Sequence, residues 1–156
     1  MFGEKVSLNF RSALEDIKEA GNCYATDRNT ACVFHCMRVV EHGLRALAKR
    51  LRVKLPKNLH IDLAEWGKLI DNIEDEIEKI EKARKRTPQR ERDLEFYHSA
   101  ASQFRHFKSA WRNHVMHSRA SYDHEEAGKV LRHVREFMRH LADRGLREPI
   151  RHKKRV

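Results

Sequence analysis

The sequence predicts an all-α fold, a compact bundle of four main helices plus an N-terminal one. Three observations carry this. Apolar residues recur at spacings of three and four along five segments, no segment alternates at period two, and only 6 Gly and 3 Pro stand among 156 residues. The charged fraction, 36%, exceeds the ~25% of average domains, as expected of long helices with solvated faces. A chain of this length buries about two-thirds of its unfolded surface around one core. One domain is therefore expected over residues 1–145, followed by a basic C-terminal tail at 146–156.

The first helix is expected from about Val6 to Tyr24, with Val6, Phe10, Leu14, Ile17 and Ala20 on one face. A polar break at 26–29 leads to a second, from about Asn29 to Val53, striped by Val33, Cys36, Met37, Val40, Leu44, Leu47 and Leu51. The third is expected to open with a capping box at Asp62 and Glu65 and a staple of Ile61 onto Trp66. Its stripe runs through Leu69, Ile70, Ile73, Ile77 and Ile80. Thr87, with Pro88 at the first helical position, starts a fourth. Leu94, Tyr97, Ala101, Phe104 and Phe107 form its stripe, which Trp111 and Val115 are expected to continue. So short a link makes the third and fourth helices an antiparallel hairpin. Asp123 and Glu126 form another capping box, and the fifth helix turns Ala127, Val130, Leu131, Val134, Phe137, Met138 and Leu141 inward before Gly145 ends it.

Charge points toward polyanions. Lys and Arg number 33 against 23 Asp and Glu, a net +10 with His neutral. The excess gathers between Lys79 and Arg92 and again between Arg144 and Val156, each segment netting five positive charges. Such patches attract nucleic acid without reading its sequence, and they also serve as plain solvated helix faces. No basic stretch followed by an apolar run opens the chain, and no apolar run approaches the ~20 residues of a membrane span. A secreted or membrane-bound protein is not expected. A reducing cytoplasm is, and three cysteines leave an odd thiol with no framework of bridges.

The stretch from Trp111 to Arg119 carries the candidate chemistry. Arg112, Asn113, His114 and His117 do not fit the buried stripe, so they project from other faces of the helix. Asn113 and His117 are four apart and neighbours along the surface, where an amide can orient an imidazole. Arg112 lies about 140° from His117 on an ideal helix. The two meet on one ligand if the helix distorts at its end, if the long arginine curls round, or if a second subunit completes the site. A guanidinium grips phosphate through paired hydrogen bonds, and a histidine moves protons at neutral pH. Together they suit metal-independent RNA cleavage. The substrate's own 2′-OH attacks the adjacent phosphodiester, Arg112 stabilises the phosphorane charge, and His117 serves as acid or base. The same spacing also fits residues that merely fray at a helix end.

Arg112, Asn113 and, four residues after Asn113, His117 stand near the end of the penultimate helix, ahead of a short loop and a last amphipathic helix. This pattern resembles the R-x4-6-H signature of the HEPN superfamily (higher eukaryote and prokaryote nucleotide-binding). The resemblance implies a helical bundle that dimerises, with the Arg and His of both subunits lining a shared cleft. It further implies a metal-independent endoribonuclease of toxin or antiviral-defence type, with Arg112, Asn113 and His117 catalytic and an antitoxin or regulatory protein as a possible partner. The toxin branch paired with nucleotidyltransferase antitoxins carries Tyr two residues after the His, and here that position is Arg119. Other members only bind, so the alternative is a non-catalytic module for RNA, a nucleotide or a protein partner.

Further RNA contacts are expected from His114, Arg119 and Tyr122 beside the motif, from Arg38 and Glu41 on the second helix, and from Arg84, Lys85, Arg86 and Arg90. His35 and His42 share the polar face of Arg38. No metal and no cofactor are expected. Cys23, Cys32 and Cys36 lack a loop-like zinc spacing and read as small buried thiols. Glu95 and His98 make one Glu-x-x-His, but Glu136 and His140 are four apart and supply no second copy. His114 and His117 with Glu125 and Glu126 are the remaining set. No phosphate-binding glycine loop and no nucleophile elbow is present.

Overall fold

A computed structural model of the chain describes residues 1–57, 59–83, 87–117 and 121–149. The described residues form helices joined by turns and loops and contain no strand. The helices are α1 (Glu4–Asn9), α2 (Leu14–Ala25), α3 (Asn29–Arg50), α4 (Trp66–Lys82), α5 (Pro88–Phe107), α6 (Asn113–Met116) and α7 (His124–Asp143). A 3₁₀ turn, Arg11–Ala13, joins α1 to α2, and another, Ile61–Leu63, precedes α4.

Burial is organised around α3. Its predicted stripe is buried from Val33 to Leu51, and Cys32, Val39, Gly43, Ala46 and Ala48 are buried beside it. A helix buried over more than one face must be central, and α3 packs against α2, α4, α5 and α7. At Gly43 the approach is tight, because a Cβ there would stand 2.9 Å from Leu141 Cδ1 and 3.4 Å from Phe104 Cζ. Each fully buried Leu, Ile or Phe of these stripes contributes about 1.5–3 kcal/mol by leaving water.

The N-terminal helix is two helices. The backbone leaves helical geometry at Phe10 (φ −128°, ψ 61°), so Leu14 falls on the exposed side and Ala13 takes the buried place instead. The bend lets Phe2, Val6 and Phe10 reach the core while α1 lies against α7 and α2 against α3. Asn9, at the bend, donates from Nδ2 to Leu146 O (3.1 Å) and ties the start of the chain to the end of α7.

The capping box expected at Asp62 and Glu65 does not form. Asp62 sits in its own 3₁₀ turn, where Arg45 donates to its carbonyl (3.0 Å) and pairs with its carboxylate (3.2 Å). Glu65 caps α4 through its backbone position alone. Thr87 does cap α5, with Pro88 at the first position, and Arg90 N donates to its hydroxyl. The two helices run antiparallel, since Arg105 near the end of α5 pairs with Asp71 (2.8 Å) and Glu74 (2.7 Å) early in α4, and His98 lies 3.5 Å from Glu81. Asp123 and Glu126 form both bonds of the second capping box.

Helix α7 ends in the glycine motif that its sequence announces. Gly145 takes φ +73°, its N–H donates to Ala142 O (3.0 Å), and Leu146 N donates to Leu141 O (2.9 Å). A Cβ at Gly145 would meet nothing within 4 Å, so the position tests backbone strain free of packing. Gly145→Ala is expected to cost about 1–2 kcal/mol, read from the urea midpoint of unfolding, while the helical circular dichroism stays unchanged.

Candidate functional site

The end of α5 is where the fold departs most from the expected stripe. After Phe107 the helix opens into a wide turn over Lys108–Arg112, closed by the Asn113 N–H donating to Lys108 O five residues back. One extra residue in a turn rotates all that follows by about 100° relative to an unbroken α-helix. Trp111 and Val115, expected on the buried stripe, are consequently only half-buried. Trp111 packs across the turn against Phe107, His106 and His133, with ring centroids 5.3–5.7 Å away, and fastens it to α7.

The rotation re-aims the motif as a unit. Arg112 closes the wide turn and holds its guanidinium over the buried Trp66 ring, 5.8 Å from the centroid, at the first residue of α4. Arg112 is half-buried in this cation–π contact. Asn113, half-buried, opens α6, and His117 leaves it with non-helical backbone (φ −105°, ψ 16°). His114 and His117 are exposed. The wide turn ends at Arg112, so it does not change the angle between Arg112 and His117; only the unwinding at His117 does. Among the described residues no hydrogen bond joins Asn113 to His117, and no carboxylate pairs with Arg112 or His117.

The other sequence-predicted contacts fall in several places. Arg84, Lys85, Arg86 and Arg119 lie outside the described residues, as does the tail beyond 149. Tyr122 stands beside the motif's end, its N–H donating to Thr30 Oγ1 (3.2 Å) at the start of α3. Burial, with the Glu126 carboxylate nearby, pushes its phenol above the ordinary value. Arg90 lies on the first turn of α5 and donates to the Thr87 cap. Arg38 and Glu41 are far from idle: Arg38 Nε donates to Asp16 (2.7 Å), and Glu41 accepts from Arg45 (2.8 Å). Of the metal-like sets, Glu95 and His98 are both exposed, with His98 turned to Glu81.

Sequence reasoning missed Asp16. It lies in the seam between α2 and α3, 6% exposed, and accepts from Arg38 and from His35 Nδ1 (2.9 Å). His42 extends the chain of contacts, with Nε2 3.8 Å from Asp16 and Nδ1 3.2 Å from Glu148, which also accepts from Ser12 N (3.1 Å). Burial alone raises the Asp16 carboxyl, but the bonds from Arg38 and His35 outweigh it and hold the group below its ordinary value. Glu148 is lowered in the same way, burial opposing and His42 and Ser12 prevailing. The signal in the sequence was its position, three after Ala13 and four before Ala20 on a buried face. Next to this network a cleft of about 600 Å³ opens between the Arg11–Ala13 turn, α3 and residues 147–149. Arg11, Arg45, Lys49 and Arg147 line it, and among the described residues no carboxylate pairs with Arg11, Lys49 or Arg147.

Fold and site together define an all-α bundle whose penultimate helix ends in an outward Arg-Asn pair followed by a histidine. The HEPN domain model matches residues 6–144, and the chain belongs to the HEPN domain family. Comparison with curated proteins and with solved structures returned no match. Among the described residues no helix is long and apolar enough to cross a membrane.

A depressed carboxyl gives stability that is complete above its unfolded pKa of about 4 and is lost as pH falls through its lower folded value. Asp16→Asn is therefore expected to cost about 1–3 kcal/mol at pH 7, with the gap to wild type closing as pH falls below the ordinary carboxylate range. Urea midpoints of both proteins from pH 7 to pH 2 measure this. A gap independent of pH would place the loss in packing instead of charge.

Proposed function

We propose that the protein is a metal-independent endoribonuclease acting through Arg112, Asn113 and His117. The observation that supports this reading is the end of α5 in a HEPN-family chain, where Arg112 stands over Trp66 with no carboxylate partner among the described residues and His117 is exposed one helix end away. Arg112, steadied over Trp66, binds the scissile phosphate and stabilises charge on the phosphorane. His117 relays the proton as the 2′-oxygen bonds to phosphorus and the P–O5′ bond breaks, leaving a 2′,3′-cyclic phosphate and a 5′-hydroxyl. Asn113 orients the substrate or the imidazole once a ligand draws the three together. A homodimer sets the two motifs against one cleft, which supplies the meeting that a single helix end resists. The catalytic unit extends past the expected boundary at 145, because Leu146 is buried and Glu148 joins the contacts of His42 and Ser12, and a toxin or defence role with a restraining partner follows from unguided RNA cleavage.

A second reading has its own support in the basic cleft lined by Arg11, Lys49 and Arg147, which suits a module that binds a polyanion without cutting it. The two readings part cleanly. End-labelled single-stranded RNA incubated in EDTA is expected to be cut by wild type, with DNA left intact. His117→Ala is expected to lower cleavage at least about 100-fold with unchanged helical content, because the residue is exposed. RNA left intact by wild type, or cut equally by His117→Ala, overturns the nuclease. In that event the binding module predicts that Arg11→Ala with Lys49→Ala weakens RNA affinity and flattens its salt dependence by about one unit of slope per lost phosphate contact.

A further inference from the structure

Helices α2 and α3 bring together three side chains of different chemistry that no sequence motif links. Glu19 and Cys23 are one turn apart on α2, and His35 faces them from α3. One carboxylate oxygen, the Cys23 Sγ and one His35 ring nitrogen all lie within 4.8 Å of one another. We propose that Glu19, Cys23 and His35 form a binding site for Zn²⁺, with water as the fourth ligand.

Three independent features prepare these groups as ligands. Asp16 Oδ1 accepts from His35 Nδ1 at 2.9 Å, which places the proton on Nδ1 and leaves the Nε2 lone pair free. A carboxylate behind a histidine in this way fixes the ring's tautomer and raises its basicity toward a metal. Asn22 Nδ2 donates to Glu19 Oε1 at 3.0 Å and steadies the carboxylate. Cys23 is a free, buried thiol, and it is the cysteine that stands within reach of Glu19 and His35. Ligand charge also matches: one thiolate and one carboxylate neutralise Zn²⁺, with a neutral imidazole completing the protein's share.

Geometry needs only a small closure. Ligand atoms around tetrahedral zinc stand about 3.3–3.8 Å apart, roughly 1 Å inside the present limit, within reach of rotamer adjustment in Glu19 and His35. Both are half-buried, so the fourth position opens toward water, whereas Cys23 is 2% exposed and anchors the site from below. A mixed sulfur, nitrogen and oxygen set suits zinc in place of Mg²⁺ or Ca²⁺, which take oxygen alone. The ion would staple α2 to α3 and takes no part at Arg112 or His117. Its presence or absence is therefore decided without reference to RNA cleavage.

The test uses the reduced full-length chain, stripped with EDTA and dialysed. One equivalent of Co²⁺ is expected to produce a thiolate-to-cobalt charge-transfer band, and Zn²⁺ to displace it and raise Tm. Cys23→Ser should abolish the band, and Glu19→Gln should weaken Co²⁺ affinity by at least about 10-fold. No band with wild type overturns the proposal, as does a band that persists in Cys23→Ser, which would move the ion to Cys32 and Cys36. Should Cys23→Ser fail to fold, the half-buried Glu19→Gln decides: affinity equal to wild type overturns the site.

Discussion

The bundle rests on the seam between α2 and α3, and within that seam on a single buried carboxylate. Asp16 is the one charged or polar residue among the described buried set. A carboxylate in that position costs free energy unless donors meet it. Arg38 and His35 meet it, which fixes the rotation of α3 against α2 to one register. From there the constraint spreads. His42, one turn or so further along α3, bridges to Glu148, and Asn9 accepts from the Glu148 N–H (2.9 Å). The two ends of the domain are thereby held against the same helix.

A central helix committed on so many sides leaves little freedom for the helices around it. Helices α4 and α5 pack as a hairpin with charged pairs on the outside, and α7 closes the core through Phe137, Met138 and Leu141. The wide turn at Lys108–Arg112 then acquires a physical sense. Had the α5 stripe run on without it, Trp111 and Val115 would have been buried and Arg112 left with a different neighbour. Instead Trp111 fastens the turn to α7, Trp66 receives the guanidinium, and the motif stands at the surface. Burial is supplied by α3, α4, α5 and α7, whereas the segment from Lys108 to Met116, which carries the candidate chemistry, holds no buried residue.

The polar face of α3 shows how one set of residue types divides by context. His35, Arg38 and His42 read in sequence as candidates for a cleft or for solvent. In the fold Arg38 is bound to a carboxylate, His35 pairs with the same Asp16 of α2, and His42 lies between Asp16 and Glu148. Arg112 and His117, by contrast, have no acidic partner among the described residues. A cation already neutralised by a buried acid serves architecture; an unneutralised one near a helix end is available to phosphate.

What was legible in the sequence is what local physics dictates. Periodic burial marked α3, α4, α5 and α7; Thr87–Pro88, Asp123–Glu126 and Gly145 marked their ends, because caps satisfy backbone groups within a few residues of the chain. The candidate set Arg112, Asn113 and His117 was read from local spacing alone. Tertiary structure alone decided the rest. It broke the first helix at Phe10, where α1 and α2 must serve different neighbours, and it gave Asp62 to Arg45 in place of a cap. It inserted the wide turn before the motif, and it placed Asp16 opposite His35 and Cys23 beside Glu19 and His35. Each depends on a partner 12 or more residues away or on competition for burial, and no pattern of nearest neighbours encodes either.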